Sequence, residues 1–306
     1  MYNKLFDNFI KKTLDDDLNI LYAQMHKDGK LVSEYSAMNA KVRLNIMSIS
    51  KSFVSCAFGI AEKEGLISRD TKLIDIFPEY KNKNIDRNIY DITMEDLLTM
   101  RSGQKDKLFF NESPERYVVK DWIDYFFNQE FTGNKNNWLY SNFCSYMVSC
   151  CIERVSGANL LEYLRYRFFE KIGITNPDWT LCPQGHVHAA NGLYLTIDEL
   201  SKFGELLRNY GYFNGEEVVP AEYLKLATSK LVDNSASYDN ERIYRAKGYG
   251  YQFHINPESN SFHCAGKYGQ FVVVAEQKEV VISVISFEEK YGKIGNNLYK
   301  EVIEKL

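Results

Sequence analysis

Asn45-Ile46-Met47-Ser48-Ile49-Ser50-Lys51-Ser52-Phe53 sets a serine and a lysine three residues apart where a helix is expected to begin. Phe53, Ala57, Ile60 and Ala61 continue the apolar pattern at helical spacing, and Gly65 is a natural stop. Residues i and i+3 share a helix face about one turn apart, so the Lys51 amine is placed within reach of the Ser48 hydroxyl. A serine hydroxyl is a weak nucleophile until a neighbouring base takes its proton. The partial positive charge of a helix N-terminus favours an alkoxide and lowers the basicity of a nearby amine, which makes an uncharged Lys51 a candidate base. Ser102 and Lys105 have the same spacing, but Gly103 follows that serine and no helical pattern ensues. Ser48 instead opens a helix of small residues (Ser52, Ser55, Cys56, Ala57) suited to close packing. The plain alternative is Ser48 as a helix cap with Lys51 in solvent.

On the N-terminal side, Leu5, Phe6, Phe9 and Ile10 form a helical stripe within residues 2–13. Leu18 to Gln24 and Leu31 to Tyr35 read as strands joined across Asp28-Gly29, a strong short-range hairpin signal. From about Thr71 to Ala190, helical segments alternate with turns: Met94–Met100, Trp122–Phe127, Asn142–Val155 and Leu160–Lys171. Leu195–Tyr210 is a further helix, with Thr196 and Glu199 as a capping box. Strands then dominate at Gly248–Ile255, Ser261–Ala265, Phe271–Glu276 and Val280–Phe287, the last two flanking Gln277-Lys278-Glu279, and residues 294–306 close the chain as an amphipathic helix. Strands at both ends around a helical middle predict an α+β fold, an antiparallel sheet flanked by helices with an inserted all-helical subdomain. The expected division is one domain over 1–306, with 1–65 and 191–306 as the α/β part and 66–190 as the helical part.

Of the 306 residues, 45% are hydrophobic and 25% charged, enough for a large core. The net charge of -4 without a long basic run argues against a nucleic-acid partner. The opening residues carry charges every few positions, unlike the apolar core of a secretory signal, and no run of about 20 apolar residues suggests a membrane span. Six cysteines lie mostly in apolar stretches without Cys-x-x-Cys spacing, which favours buried free thiols in a reducing compartment. A cytoplasmic location is expected, with no membrane partner, and the oligomeric state is left open.

Two further stretches carry candidate chemistry. Trp138-Leu139-Tyr140-Ser141-Asn142-Phe143 precedes a helix, so that Tyr140 can point into a cleft and the Asn142 amide can orient a substrate carbonyl. Tyr80-Lys81-Asn82 has the same pattern but lies in a charged turn and is expected in solvent. His263-Cys264-Ala265-Gly266-Lys267-Tyr268-Gly269-Gln270 enters a very apolar hairpin. A glycine within a strand often marks close approach of backbone to a ligand, and N–H groups there are candidates for an oxyanion site.

Taken in order, Ser48-x-x-Lys51, Tyr140-x-Asn142 and the late glycine-bearing strand resemble the serine β-lactamase and penicillin-binding-protein superfamily, in its class C-type branch of esterases, amidases and D-aminopeptidases. The stretches 92–103, 192–200 and 248–251 are similar to segments of that branch as well. The resemblance implies an active site in a groove between sheet and helices, and an acyl-Ser48 intermediate with proton transfer shared by Lys51 and Tyr140. It further implies that Asn142, Cys264, Gly266 and Lys267 contact the substrate, and that the N–H groups of Ser48 and Lys267 form the oxyanion hole. The substrate would be a small ester, amide or peptide, with neither metal nor organic cofactor. One departure stands out: Cys264-Ala265-Gly266 replaces the family's Lys-Thr-Gly or His-Thr-Gly, removing the side chain that helps bind a β-lactam carboxylate. This favours a cytoplasmic esterase or amidase over a true β-lactamase. A ligand-binding module with reduced catalysis is the alternative from another class, and acyl transfer to an amine or alcohol is a third.

His186-Val187-His188 has strand-like spacing for two metal ligands but no carboxylate or cysteine at a familiar interval, so loop histidines are expected. His263 should face away from Cys264 on a strand, and Cys150-Cys151 reads as core.

Overall fold

The computed structural model describes residues 1–109, 113–237, 244, 248–256 and 261–306. Helix α1 (Tyr2–Asp15) buries Leu5, Phe6, Phe9 and Ile10, the stripe expected from the sequence. Strands β1 (Ile20–Lys27) and β2 (Lys30–Ser36) follow. Asp28 and Gly29 both have positive φ (52° and 74°), as the two-residue turn of a tight hairpin requires. After the short strand β3 (Leu44–Asn45), a single 3-10 turn, Met47–Ile49, precedes helix α2 (Ser50–Lys63). Ser48 therefore sits in the turn that feeds the helix, rather than opening it. One cause is local: Asn45 Oδ1 accepts from Met47 N at 2.8 Å, and Met47 takes φ 51°.

The middle of the chain holds α3 (Leu73–Ile76), α4 (Met94–Leu98), α5 (Glu115–Val118), α6 (Trp122–Phe127), α7 (Asn142–Ser156) and α8 (Leu160–Leu164). Tyr80 is not in solvent as expected: it is buried and stacks on Phe127 at 3.9 Å. The helix anticipated over 160–171 holds only to Leu164, then passes through a π turn (Arg165–Phe169) and a 3-10 turn into Gly173 at φ 66°. Short strands β4 (Asp178–Trp179) and β5 (Leu193–Leu195) pair with each other and β5 with β3. Helix α9 (Ile197–Arg208) starts with the Thr196–Glu199 capping box.

Strands β6 (Tyr212–Phe213) and β7 (Glu216–Glu217) form a small hairpin ahead of α10 (Ala221–Ala227). The strand expected over 248–255 is instead two short strands, β8 (Gly248–Tyr249) and β9 (His254–Ile255), paired with one another. Gly250 explains the fold-back. A Cβ there would lie 2.0 Å from the Ala227 carbonyl, and Tyr251 N donates to that same carbonyl at 2.9 Å. Then come β10 (Ser261–Gly266), β11 (Gln270–Ala275), β12 (Val280–Ser286) and helix α11 (Tyr291–Glu301).

Seven strands make one antiparallel sheet in the order β2-β1-β12-β11-β10-β9-β8. Its central strands are apolar on both faces because both faces are covered. Val280, Ile282 and Val284 pack with Phe6, Phe9, Ile294 and Leu298 of α1 and α11. Val281 and Ile285 join the larger core shared with α2 and α9. Ser50 to Ala61 are all buried, because α2 lies between sheet and helical layers. Its Phe53 stacks on Phe203 of α9 at 3.9 Å, while its other side packs on α7. No helix among the described residues is long and apolar enough to cross a membrane.

Candidate active site

Three distant segments meet at the start of α2. The 3-10 turn before it carries Ser48, partly exposed, and the first turn of α2 carries Lys51, only 1% exposed. Helix α7 begins at Asn142, capped by the Ser141 side chain accepting from Phe143 N at 3.2 Å. The segment before β5 brings in the Ala190 carbonyl. Lys51 Nζ lies 2.9 Å from Ser48 Oγ, 2.9 Å from Asn142 Oδ1 and 2.7 Å from Ala190 O. The same nitrogen lies 4.9 Å from the centre of the Tyr140 ring. Ser48, Lys51, Tyr140 and Asn142 are therefore brought together.

These contacts fix the direction of the proton. Burial pulls the Lys51 amine down to about 7, so near neutrality much of it is uncharged. A neutral amine has two N–H groups and one lone pair. The Ala190 carbonyl can only accept, and Asn142 presents Oδ1 because its Nδ2 donates to the Phe109 carbonyl. Both N–H groups are thereby occupied, and the lone pair is left facing Ser48 Oγ. The neutral state is a base aimed at that hydroxyl.

Gly266 at the end of β10 closes the other side. A Cβ at this position would lie 2.7 Å from Ile46 O and 2.9 Å from Met47 Cβ. The strand backbone thus packs directly on the turn that holds Ser48, and Lys267, partly exposed, follows at once. Cys264 is a correction to the sequence reading. Rather than lining an open groove, its thiol is 1% exposed and hydrogen-bonded with Ser52 on α2, and burial pushes it up to about 12. It forms part of the floor beneath the site. On a strand with period two, the neighbouring His263 faces the opposite side, against Tyr244 and Phe271 of the outer core.

His186 does have a carboxylate partner that the sequence interval hid: its Nδ1 lies 2.7 Å from Glu153 Oε2, 33 residues away. Among the described residues no group of histidine, cysteine and carboxylate side chains is arranged to hold a metal ion. Two contributors escaped the sequence reading. The Ala190 carbonyl is backbone and leaves no side-chain signal, whereas the Met47 turn, at φ 51°, is packed against a strand more than 200 residues later.

A family profile described as beta-lactamase matches residues 6–299. An uncharacterised protein of Alkalihalophilus pseudofirmus is 23% identical over 248 residues, covering 71% of this chain and 66% of that protein, so the chain spans just under two thirds of its relative's length. Among solved structures, a candidate 6-aminohexanoate-dimer hydrolase of Bacillus anthracis superposes with TM-score 0.79 at 19% identity, over 96% of this chain and 82% of the other. A class C beta lactamase from Rhodobacter sphaeroides gives TM-score 0.73 at 12% identity over 99% of both chains. An octameric penicillin-binding protein homologue from Pyrococcus abyssi gives 0.72 at 18% identity, covering 97% and 76%.

Proposed function

The chain belongs to the beta-lactamase family, and from that premise we propose that it is a serine hydrolase which carries the acyl group of a small ester or amide on Ser48. The observation that supports this reading best is the buried amine of Lys51, held near neutrality and with its lone pair left for the Ser48 hydroxyl. In the proposed cycle Lys51 takes the Ser48 proton as Oγ attacks the carbonyl carbon. Developing negative charge falls to the N–H groups of Ser48 and Lys267. Tyr140, beside Lys51, passes the proton to the departing alcohol or amine as its bond to the acyl carbon breaks. Water, deprotonated by the same pair, then releases the acid and restores Ser48. Asn142 orients the substrate amide or ester as well as Lys51.

A family cation is missing at 264, where a buried neutral thiol stands, and this turns the reading toward esters and amides rather than β-lactams. The test is rapid acid quench during turnover of a p-nitrophenyl ester, followed by peptide mapping. The expected result is the acyl mass on the peptide holding Ser48; turnover with the acyl group elsewhere would overturn the proposal. An adduct that forms but never releases product would favour the binding-module alternative. Added amines or alcohols that divert the product would favour acyl transfer.

The contact of Gly266 with the Ser48 turn gives a further prediction. Gly266→Ala must push β10 away from Ile46 and Met47, misplacing the Lys267 N–H, so kcat/KM for the ester is expected to fall about 100-fold. Steady-state kinetics would check this; a rate within about threefold of the parent would contradict it.

A further inference from the structure

His188 is 3% exposed, and neither ring nitrogen has a hydrogen-bond partner among the described residues. Its neighbour His186, two residues earlier, is satisfied by Glu153, so the orphaned ring is not a general property of the segment. Buried polar atoms are nearly always paired in folded proteins, and one left unpaired beside a reactive centre points to a ligand that completes it. The ring is tied to the site from two directions. Its own carbonyl accepts from Ala190 N at 2.6 Å, and the Ala190 carbonyl in turn grips Lys51. Its edge meets Trp122 at 5.1 Å, Trp122 meets Phe109 at 4.9 Å, and the Phe109 carbonyl holds Asn142.

Burial pushes the imidazole down to about 3, with Arg116 and Lys51 acting in the same direction. The ring is accordingly neutral, with one N–H to give. The Arg116 guanidinium bears on it as a permanent cation, and the Lys51 amine adds to it only when protonated. A donor in such surroundings suits an anionic acceptor and repels an ammonium group.

We propose that His188 is a specificity-determining residue that donates a hydrogen bond to a carboxylate on the acyl arm of the substrate. In this proposal Trp122, which packs beside the ring, and Phe109, which packs beside Trp122, flank the apolar stem of that arm. This inference rests on the reading of Ser48 as the acylated nucleophile.

The test compares three six-carbon p-nitrophenyl esters: hexanoate, hemiadipate and 6-aminohexanoate. The parent protein is expected to favour the hemiadipate over the hexanoate by about tenfold or more in kcat/KM, with the ammonium ester poorest. His188→Phe keeps ring bulk and removes both nitrogens. It is expected to lower kcat/KM for the hemiadipate about 10- to 100-fold, mainly through KM, and leave the hexanoate within about threefold. His188→Gln, which retains an N–H donor, should recover part of the preference. A parent protein without preference for the carboxylate overturns the proposal whether or not the variants fold. Equal loss on hexanoate and hemiadipate in His188→Phe also overturns it, because that is the signature of a structural role. Fluorophosphonate labelling of Ser48, run alongside, separates the two levels. An unlabelled parent protein defeats the hydrolase reading itself, whereas labelling without carboxylate preference defeats only this inference.

Discussion

Ser48→Ala is expected to lower kcat/KM for p-nitrophenyl esters by about ten-thousandfold or more, leaving the melting temperature within about 2 °C of the parent. The size follows from what the hydroxyl does in the proposed cycle. It forms the covalent bond, and without it the aimed amine has no proton to take. The small change in stability follows from position. Ser48 is partly exposed in a turn, and its hydroxyl meets Lys51 without filling core volume. Parent-like turnover by the folded variant would remove Ser48 from the chemistry.

The second large effect belongs to Lys51. Lys51→Met should reduce kcat/KM by about a thousandfold or more, the usual scale for losing a positioned base. In the parent protein the base form prevails above the amine's value of about 7, so activity should rise with pH, reach half its plateau near 7 and fall about tenfold per unit below it. Stability carries a matching sign. The folded amine has lost its proton between about pH 7 and the ordinary lysine range near 10.5, while the unfolded chain still holds it. The unfolded state binds more protons in that window, so the contribution of Lys51 to stability rises with pH there, by up to about 1.4 kcal/mol per unit. Denaturant titrations of parent and Lys51→Met at pH 7 and 9 should diverge in the parent's favour as pH rises. A constant difference would mean that the amine stays charged in the folded protein.

The sequence carried the local part of this site plainly. Spacing of three placed Lys51 beside Ser48, Asp28-Gly29 specified a hairpin, and Thr196 with Glu199 specified a helix start; each depends on neighbours in the chain. Long-range contacts were harder to read. That Ser48 lies before the helix depends on Asn45 and on Gly266 pressing on the same turn. Cys264 could have faced either side of its strand from sequence alone, and only the packing of β10 against α2 turns its thiol toward Ser52. Asn214-Gly215, with φ of 50° and 84°, carried the same hairpin signal as Asp28-Gly29. It went unread because the strands it joins are two residues long. His188 looked like an ordinary loop histidine because its neighbours Trp122 and Lys51 are far away in sequence.

Central to the account is a serine activated by a lysine that burial keeps uncharged. The most direct measurement is the rate of fluorophosphonate attachment to Ser48, located by peptide mapping, across pH 5 to 9 (about two units on either side of the amine). The expected curve rises with pH to a plateau with its midpoint near 7, and Lys51→Met flattens it to a low rate. Attachment at another residue, or a parent rate that does not change across that range, would contradict the account.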